Sequence, residues 1–210
     1  MQHMRLFCPT RLALLLLTFA AFASAQPPRH AATGKPPRPA IHLKESEVSY
    51  SKTANSLSEI DFRNLDYFTS ATQQEPVWKL RQGKFSSHEA FSFEDAAVSE
   101  VWRFGKTATE PGFALIYIQD VAGGGSSNDS MELLLFTLKE GRLTLLQTIE
   151  GDEQAPGAGA VFNPATRQLT VKLRSNDDSP HCCPKNLDLV HLKWTGNNFA
   201  VAETHRIPVK

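Results

Sequence analysis

No stretch of this chain beyond its first quarter carries a long helical period. Apolar residues recur instead in short runs, broken by turn-forming residues about every ten positions, a spacing that selects for sheets. Leu169-Thr170-Val171-Lys172-Leu173 alternates apolar and polar, the period of a half-buried strand, and Asn163-Pro164-Ala165-Thr166 supplies a turn before it. Met131 to Leu138 is almost continuously apolar; Lys139-Glu140-Gly141-Arg142 reads as a hairpin turn, and Leu143 to Ile149 resumes the apolar pattern. Phe113 to Val121 and Val98 to Phe104 are rich in residues that suit a pleated surface. Leu187 to Trp194 and Phe199 to His205 form a C-terminal hairpin across Thr195-Gly196-Asn197-Asn198. Ile60-Asp61-Phe62, Val77 to Leu80 and Phe91-Ser92-Phe93 are shorter candidates. The expected fold is all-β and mainly antiparallel: a sandwich, an open barrel or a curled sheet. The alternative is α+β, with one short helix near residues 44–59.

The N-terminus reads as a secretory signal over residues 1–25. Arg5 and Arg11 give the positive region, Leu12 to Phe22 the apolar region, and Ala23-Ser24-Ala25 a small-residue cleavage site. The apolar run is too short for a comfortable membrane span. Cys8 precedes it, so it is not placed to carry a lipid anchor. The expectation is an exported protein, periplasmic or secreted, with no transmembrane segment in the mature chain. Removing the signal takes away two basic side chains and no acidic one. The remaining 20 Lys and Arg against 22 Asp and Glu leave a charge of −2. That balance argues against nucleic acid as a partner. Residues 26–43 read as a disordered tether, with Pro27, Pro28, Pro36, Pro37 and Pro39 among basic residues. Residues 44–210 then make one domain, long enough to bury about 70% of its unfolded surface without disulfide staples.

Cys182 and Cys183 are the cysteines left after the signal. In an oxidising compartment they are each other's intrachain partner. Adjacent Cα atoms lie about 3.8 Å apart, shorter than the roughly 4.4–6.8 Å of a relaxed disulfide. A vicinal bridge would close too small a ring to contribute much stability. It would stiffen a turn already framed by Pro180, His181 and Pro184. Three readings stay open: a structural turn, a reducible redox bridge, and a soft-metal or intermolecular thiol site to which His181 adds a nitrogen. The usual four-ligand zinc set is missing, as is a Cys-x-x-Cys pattern.

Gly123-Gly124-Gly125-Ser126, running on through Ser127, Asn128 and Asp129 to Ser130, reads as a mobile hairpin loop able to touch a ligand. It lacks the lysine and following helix of a phosphate-binding loop. Asp120, Asp129, Asp152, Glu153, Asp177 and Asp178 stand near turns, but no calcium-loop spacing links them, and solvated turn carboxylates are the expectation. His30, His42, His88, His181, His191 and His205 build no metalloprotease motif, and no nucleophile elbow occurs. No catalytic residue, cofactor or metal site is therefore assigned. Trp78, Trp102, Phe104, Trp194 and Phe199 are spaced as core or cross-strand aromatics, the pattern a sugar platform would also show.

Several of these features occur in a shared order: Asp61-Phe62-Arg63-Asn64-Leu65-Asp66-Tyr67, then Trp78-Lys79-Leu80-Arg81-Gln82-Gly83-Lys84, Gly123-Gly124-Gly125-Ser126, Glu150-Gly151-Asp152, Cys182-Cys183-Pro184, and Lys193-Trp194-Thr195-Gly196-Asn197-Asn198-Phe199. That order resembles the LppP/LprE-type family of exported proteins and lipoproteins. The resemblance spans most of residues 60–200, and its most specific part is Cys-Cys-Pro followed by the Trp-x-Gly turn. It implies export and a small β-rich domain, and no reaction. Ser99 to Gly105 departs from the acidic turn of that family. The expected function is a non-enzymatic binding or envelope-associated module, its ligand an unknown envelope or extracellular molecule touching the Gly123–Ser130 loop or the Pro180–Pro184 turn. The alternative is a thiol redox or soft-metal protein centred on Cys182, Cys183 and His181.

Overall fold

The computed structural model describes residues 41–69, 73–88, 92–105, 111–123, 128–152, 158–175 and 183–209. They lie in one unit, Pro37–Lys210. In chain order the strands are β1 (Ile41–Thr53), β2 (Asp66–Tyr67), β3 (Trp78–Lys79), β4 (Lys84–His88), β5 (Phe93–Phe104), β6 (Phe113–Gly123), β7 (Asn128–Lys139), β8 (Arg142–Asp152), β9 (Gly159–Asn163), β10 (Gln168–Arg174), β11 (Asn186–Trp194) and β12 (Phe199–Pro208). The fold is nearly all β and antiparallel, with no long helix among the described residues. A six-stranded sheet of order β1-β8-β7-β6-β5-β4 curls into a half-barrel, and a four-stranded sheet has the order β12-β11-β10-β9. The short pair β2-β3 stands apart.

Local chemistry sets the hairpins. The β7–β8 turn has Glu140 at φ 52° and Gly141 at φ 76°. Two successive positive φ values match the right-handed twist of the flanking strands. The predicted C-terminal hairpin forms β11 and β12, with Thr195 N–H donating to Asn198 C=O at 2.9 Å.

The six-stranded sheet is buried on both faces, and alternate residues of each strand serve different cores. One face carries Leu115, Leu133, Leu135 and Ile149 against Leu169, Val171, Leu173, Val190 and Leu192 of the four-stranded sheet. Gly151 permits this approach: a Cβ there would lie 2.5 Å from Leu173 Cδ2. Phe104, Phe113, Trp194 and Phe199 close the same core with ring centroids 4.7–6.2 Å apart.

The other face carries Ile116, Ile118, Leu134, Phe136 and Leu145 under a cap running from Leu57 to Leu80. Within this cap, 3-10 turns at Leu57–Glu59 and Phe62–Asn64 precede the β2-β3 pair. Phe136 is its hub, with ring centroids 5.5 Å from Tyr50, 5.5 Å from Phe62 and 6.2 Å from Tyr67. The polar residues of the two N-terminal resemblance motifs lock the cap. Asp61 accepts from Arg63 N–H at 3.0 Å and from Asn64 Nδ2 at 2.7 Å, which holds its carboxyl below the usual range. Asn64 Oδ1 accepts from Gln82 N–H at 2.8 Å, and Gly83 N–H donates to Arg63 C=O at 2.7 Å. Gly83 sits at φ 80°, where a Cβ would meet Arg63 Nη1 at 2.9 Å. These motif residues are architecture.

Five expectations need correction. Residues 44–59 form no α-helix: β1 runs from Ile41, so Ile41, His42 and Leu43 belong to it and not to the tether. Its pattern was hidden because it is an edge strand, interrupted by register shifts between Glu45 and Val48 and between Ser49 and Thr53. Ile60-Asp61-Phe62 is not a strand; both aromatic and aliphatic side chains are buried by the 3-10 turn that starts at Phe62. The loop drawn over Gly123–Ser130 is shorter, since Gly123 ends β6 while Asn128, Asp129 and Ser130 begin β7. Asp120 is a strand residue rather than a turn carboxylate. Phe91 lies outside the described residues.

Candidate functional site: an acid-lined face

At one end of the capped face the apolar pattern gives way to carboxylates. Glu94, Asp120, Glu132 and Glu150 come from β5, β6, β7 and β8, four neighbouring strands. Register puts them on one face. Glu132 stands directly opposite Glu150 and shares a level with Ile118. Asp120 is two residues beyond Ile118 and opposite Ala96, and Glu94 is two residues before Ala96. Period two keeps each step on the side of Ile118 and Ala96, which belong to the capped core. Like charges directly opposed across a ladder destabilise it, and all four residues are half-buried.

Their hydrogen bonding is incomplete. The Trp78 indole Nε1 donates to Glu94 Oε1 at 2.8 Å, tying the cap to the acid row. Ser130 Oγ lies 3.5 Å from Asp120 Oδ2. Asp120 Oδ1 and Glu132 Oε2 are buried with no partner among the described residues. Thr148, two residues before Glu150 on the same face, is fully buried, and its Oγ1 also has no partner. Burial, then Glu150 and Asp120, push the Glu132 carboxyl up to about 8, with Lys44 opposing. Burial, then Glu94, push Asp120 up to about 6, with Ser130 opposing. Beside the row, edge strand β1 places Lys44 opposite Thr148 and His42 opposite Glu150, both exposed. Tyr50, on the same strand, has its phenol pushed up by burial and in small part by Glu132. Such a row can hold protons at neutral pH or exchange them for a cation.

The sequence-predicted residues fall in two separate places. Asn128 and Asp129 pair with Ala122 and Val121. This places the base of the glycine-rich connection beside the Asp120–Ser130 step of the acid row; Gly124, Gly125 and Ser126 lie outside the described residues. The cysteine turn belongs to the β10–β11 connection, in the sheet that packs on the opposite face of the half-barrel. Cys183 is exposed and Pro184 buried, while Pro180, His181 and Cys182 lie outside the described residues, and with them the Cys182–Cys183 bridge. The base of this connection is pinned: Ser175 N–H donates to Asn186 C=O at 3.1 Å, and Asp188 Oδ1 accepts from Ser175 Oγ at 2.9 Å and Arg206 Nε at 3.0 Å. His191 and His205 do meet, 5.8 Å between ring centroids, with Glu203 2.7 Å from His205. Among the described residues no three His, Cys, Asp or Glu side chains converge to hold a metal ion.

The sequence pattern puts Asp120 among solvated carboxylates, marks Glu150 only within the Glu150-Gly151-Asp152 resemblance, and singles out neither Glu94 nor Glu132. One signal was available. Glu132 is the lone charge inside the apolar run from Met131 to Leu138, and a charge in a buried strand calls for a partner or a role.

No protein-family model matches this chain, no curated protein is detectably similar to it, and no solved structure matches its fold.

Proposed function

We propose that this chain is an exported, non-enzymatic binding module whose ligand carries positive charge and lies on the acid-lined face. The observation that carries this is the pair of buried, unpartnered carboxylate oxygens on Asp120 and Glu132. Burying such groups costs free energy unless something binds them, and neither side chain belongs to the two apolar cores. The glycine-rich connection, expected from the sequence to contact a ligand, leaves from this same row. Export rests on the residue 1–25 signal and on the LppP/LprE-like order of motifs. No helix among the described residues is long and apolar enough to cross a membrane.

The test is a thermal-shift screen of inorganic and organic cations at pH 7, run on the wild-type chain and on the Asp120→Asn, Glu132→Gln double variant. A cation should raise the wild-type Tm and leave the variant unmoved. A wild type that responds to no cation, or a variant that responds equally, sinks the proposal.

The exposure of Cys183 favours one second reading, a thiol redox or soft-metal centre with Cys182 and His181. Intact mass of the exported chain, with and without alkylation before reduction, decides it. Resistance to alkylation until reduction means a vicinal bridge, whose potential is then measured. A potential as low as that of a structural disulfide, with no metal bound, removes this reading.

A further inference from the structure

We infer that the cation suited to this face is a linear aliphatic oligoamine, several ammonium groups joined by short methylene chains, rather than a single metal ion. The inference rests on the acid-face reading above and adds the ligand class.

The spacing of the acceptors carries it. The four carboxylates are strung diagonally across β5, β6, β7 and β8, Glu94 standing four residues along the strands from the level of Glu150; at strand separations of roughly 4.8 Å and about 3.4 Å per residue the row is about 20 Å from end to end. Glu150 and Glu132 are directly opposed, which sets their Cβ atoms about 5 Å apart; Glu132 to Asp120 and Asp120 to Glu94 are diagonal steps of roughly 7–8 Å. A metal ion needs its oxygens gathered around one point at about 2.3–2.6 Å, and no three of these side chains converge in that way. A single ammonium group would neutralise one step of the row and leave the others as they are. Three- or four-carbon spacers hold successive ammonium groups roughly 5–6 Å apart, given single bonds near 1.5 Å, which fits the Glu150–Glu132 step and falls about 2 Å short of each diagonal step, a gap that the flexible carboxylate side chains can close.

An independent observation points the same way. Thr148 is fully buried, lies on the same face next to Glu150, and has an Oγ1 without a partner among the described residues. It offers a neutral acceptor at the Glu132–Glu150 end, where an ammonium group has more N–H donors than one carboxylate uses. Lys44, exposed on β1, puts positive charge beyond that end, so an oligoamine is confined to the span from Glu150 to Glu94 and kept off the sheet edge.

Binding is coupled to protons. Glu132, facing Glu150 on β8, Asp120 on β6, Glu94 on β5, and Lys44, His42 and Tyr50 on β1, holds its proton up to about pH 8. An arriving ammonium displaces that proton to solvent, the carboxylate oxygen then accepting an N–H. Affinity therefore rises between pH 6 and about 8.

Calorimetric titration of the exported chain with spermidine, n-butylamine and calcium chloride, at about 0.15 M salt to screen non-specific attraction, tests this. Spermidine should bind at least about tenfold more tightly than n-butylamine, with proton release seen as a buffer-dependent heat. Glu132→Gln, an isostere that removes charge without removing volume, should weaken spermidine about tenfold and abolish the proton release, a factor typical of one charge-assisted contact. Calcium binding that depends on Asp120 and Glu132, without preference for spermidine, would overturn the oligoamine class and leave the acid-face reading standing. No binding by any of the three would overturn both. Spermidine binding that Glu132→Gln leaves unchanged would place the amine elsewhere and overturn the inference.

Discussion

The two faces of the six-stranded sheet have the same strands, the same register and opposite uses. Leu135 and Phe136 are adjacent in β7, both fully buried, and point to different cores. Behind Leu135 lies a dry interface with a second sheet, apolar from Ile149 to the aromatic group at Trp194 and Phe199. Behind Phe136 lies a cap that covers only part of the face, and where the apolar pattern ends the chain places carboxylates. A face that serves stability alone would continue Leu133, Leu135 and Ile149 with more of the same. The capped face instead gives up apolar burial for a row of acids with unmet hydrogen bonds, and the proposed binding reading rests on that asymmetry.

The sharpest way to break this comparison is to empty the hub of the capped core. Phe136→Ala should cost about 3–5 kcal/mol, the usual cost of a buried phenylalanine truncation, measured by urea denaturation. If the faces are separable, amide exchange should quicken in Leu57–Tyr67 while Leu169–Leu173 stays protected. Equal loosening of both would mean that the two cores act as one unit and that the comparison has no energetic content.

Next in size is the cost of the acid row. A carboxyl raised on folding keeps its proton in the folded chain where the unfolded chain has lost it. Glu132 therefore withdraws stability as pH rises from its ordinary value of 4.5 through about 8, and no further above that. Glu132→Gln should flatten that slope and leave the variant more stable at pH 8 by roughly 2–3 kcal/mol. Denaturation midpoints from pH 5 to 9 read both quantities. A wild type whose stability is level across this window would mean that the row is solvated, and the contrast with the dry face would vanish.

How much of this could be read from the sequence follows from the same contrast. Strands interior to their sheets were legible because their side chains repeat a period of two or run apolar throughout: Phe113–Val121, the hairpin from Met131 to Ile149, and Leu169–Leu173 all appear where expected. Edge strands without a marked turn were not. β1 and β4 expose most of their residues, so Glu, Lys and Ser dilute the alternation until a helix near residues 44–59 looks as reasonable; β12 is as exposed an edge strand, but the Thr195–Asn198 turn announces it. Ile60 and Phe62 mimic a strand because both are buried two residues apart, but a 3-10 turn achieves this beneath a cap. The acid row was the least legible, since Glu94, Asp120, Glu132 and Glu150 are scattered in sequence and become neighbours through antiparallel pairing alone. Resemblance pointed to residues that lock the cap, and to Glu150-Gly151, where one residue joins the row and the next lets the sheets meet.

The finest test concerns how each face is latched. On the dry side Gln147 Nε2 donates to Phe199 C=O at 2.9 Å, and Gln147 Oε1 accepts from Phe199 N–H at 2.8 Å, with both residues about 1% exposed. On the capped side Tyr50 OH donates to Phe68 C=O and accepts from Phe68 N–H, each at 2.8 Å, but Phe68 is half-buried. One polar side chain thus satisfies two backbone groups on either face, and only water access differs. Gln147→Leu strands both groups in a dry core and should cost about 2 kcal/mol, because a buried orphan bears its full desolvation penalty. Tyr50→Phe removes the same two bonds where solvent can replace them and should cost about 1 kcal/mol. Paired urea denaturation of the two variants measures the gap. If Tyr50→Phe proves as damaging as Gln147→Leu, the cap excludes water as well as the second sheet does, and the acid row would then sit in a closed chamber instead of on a face that a ligand can reach.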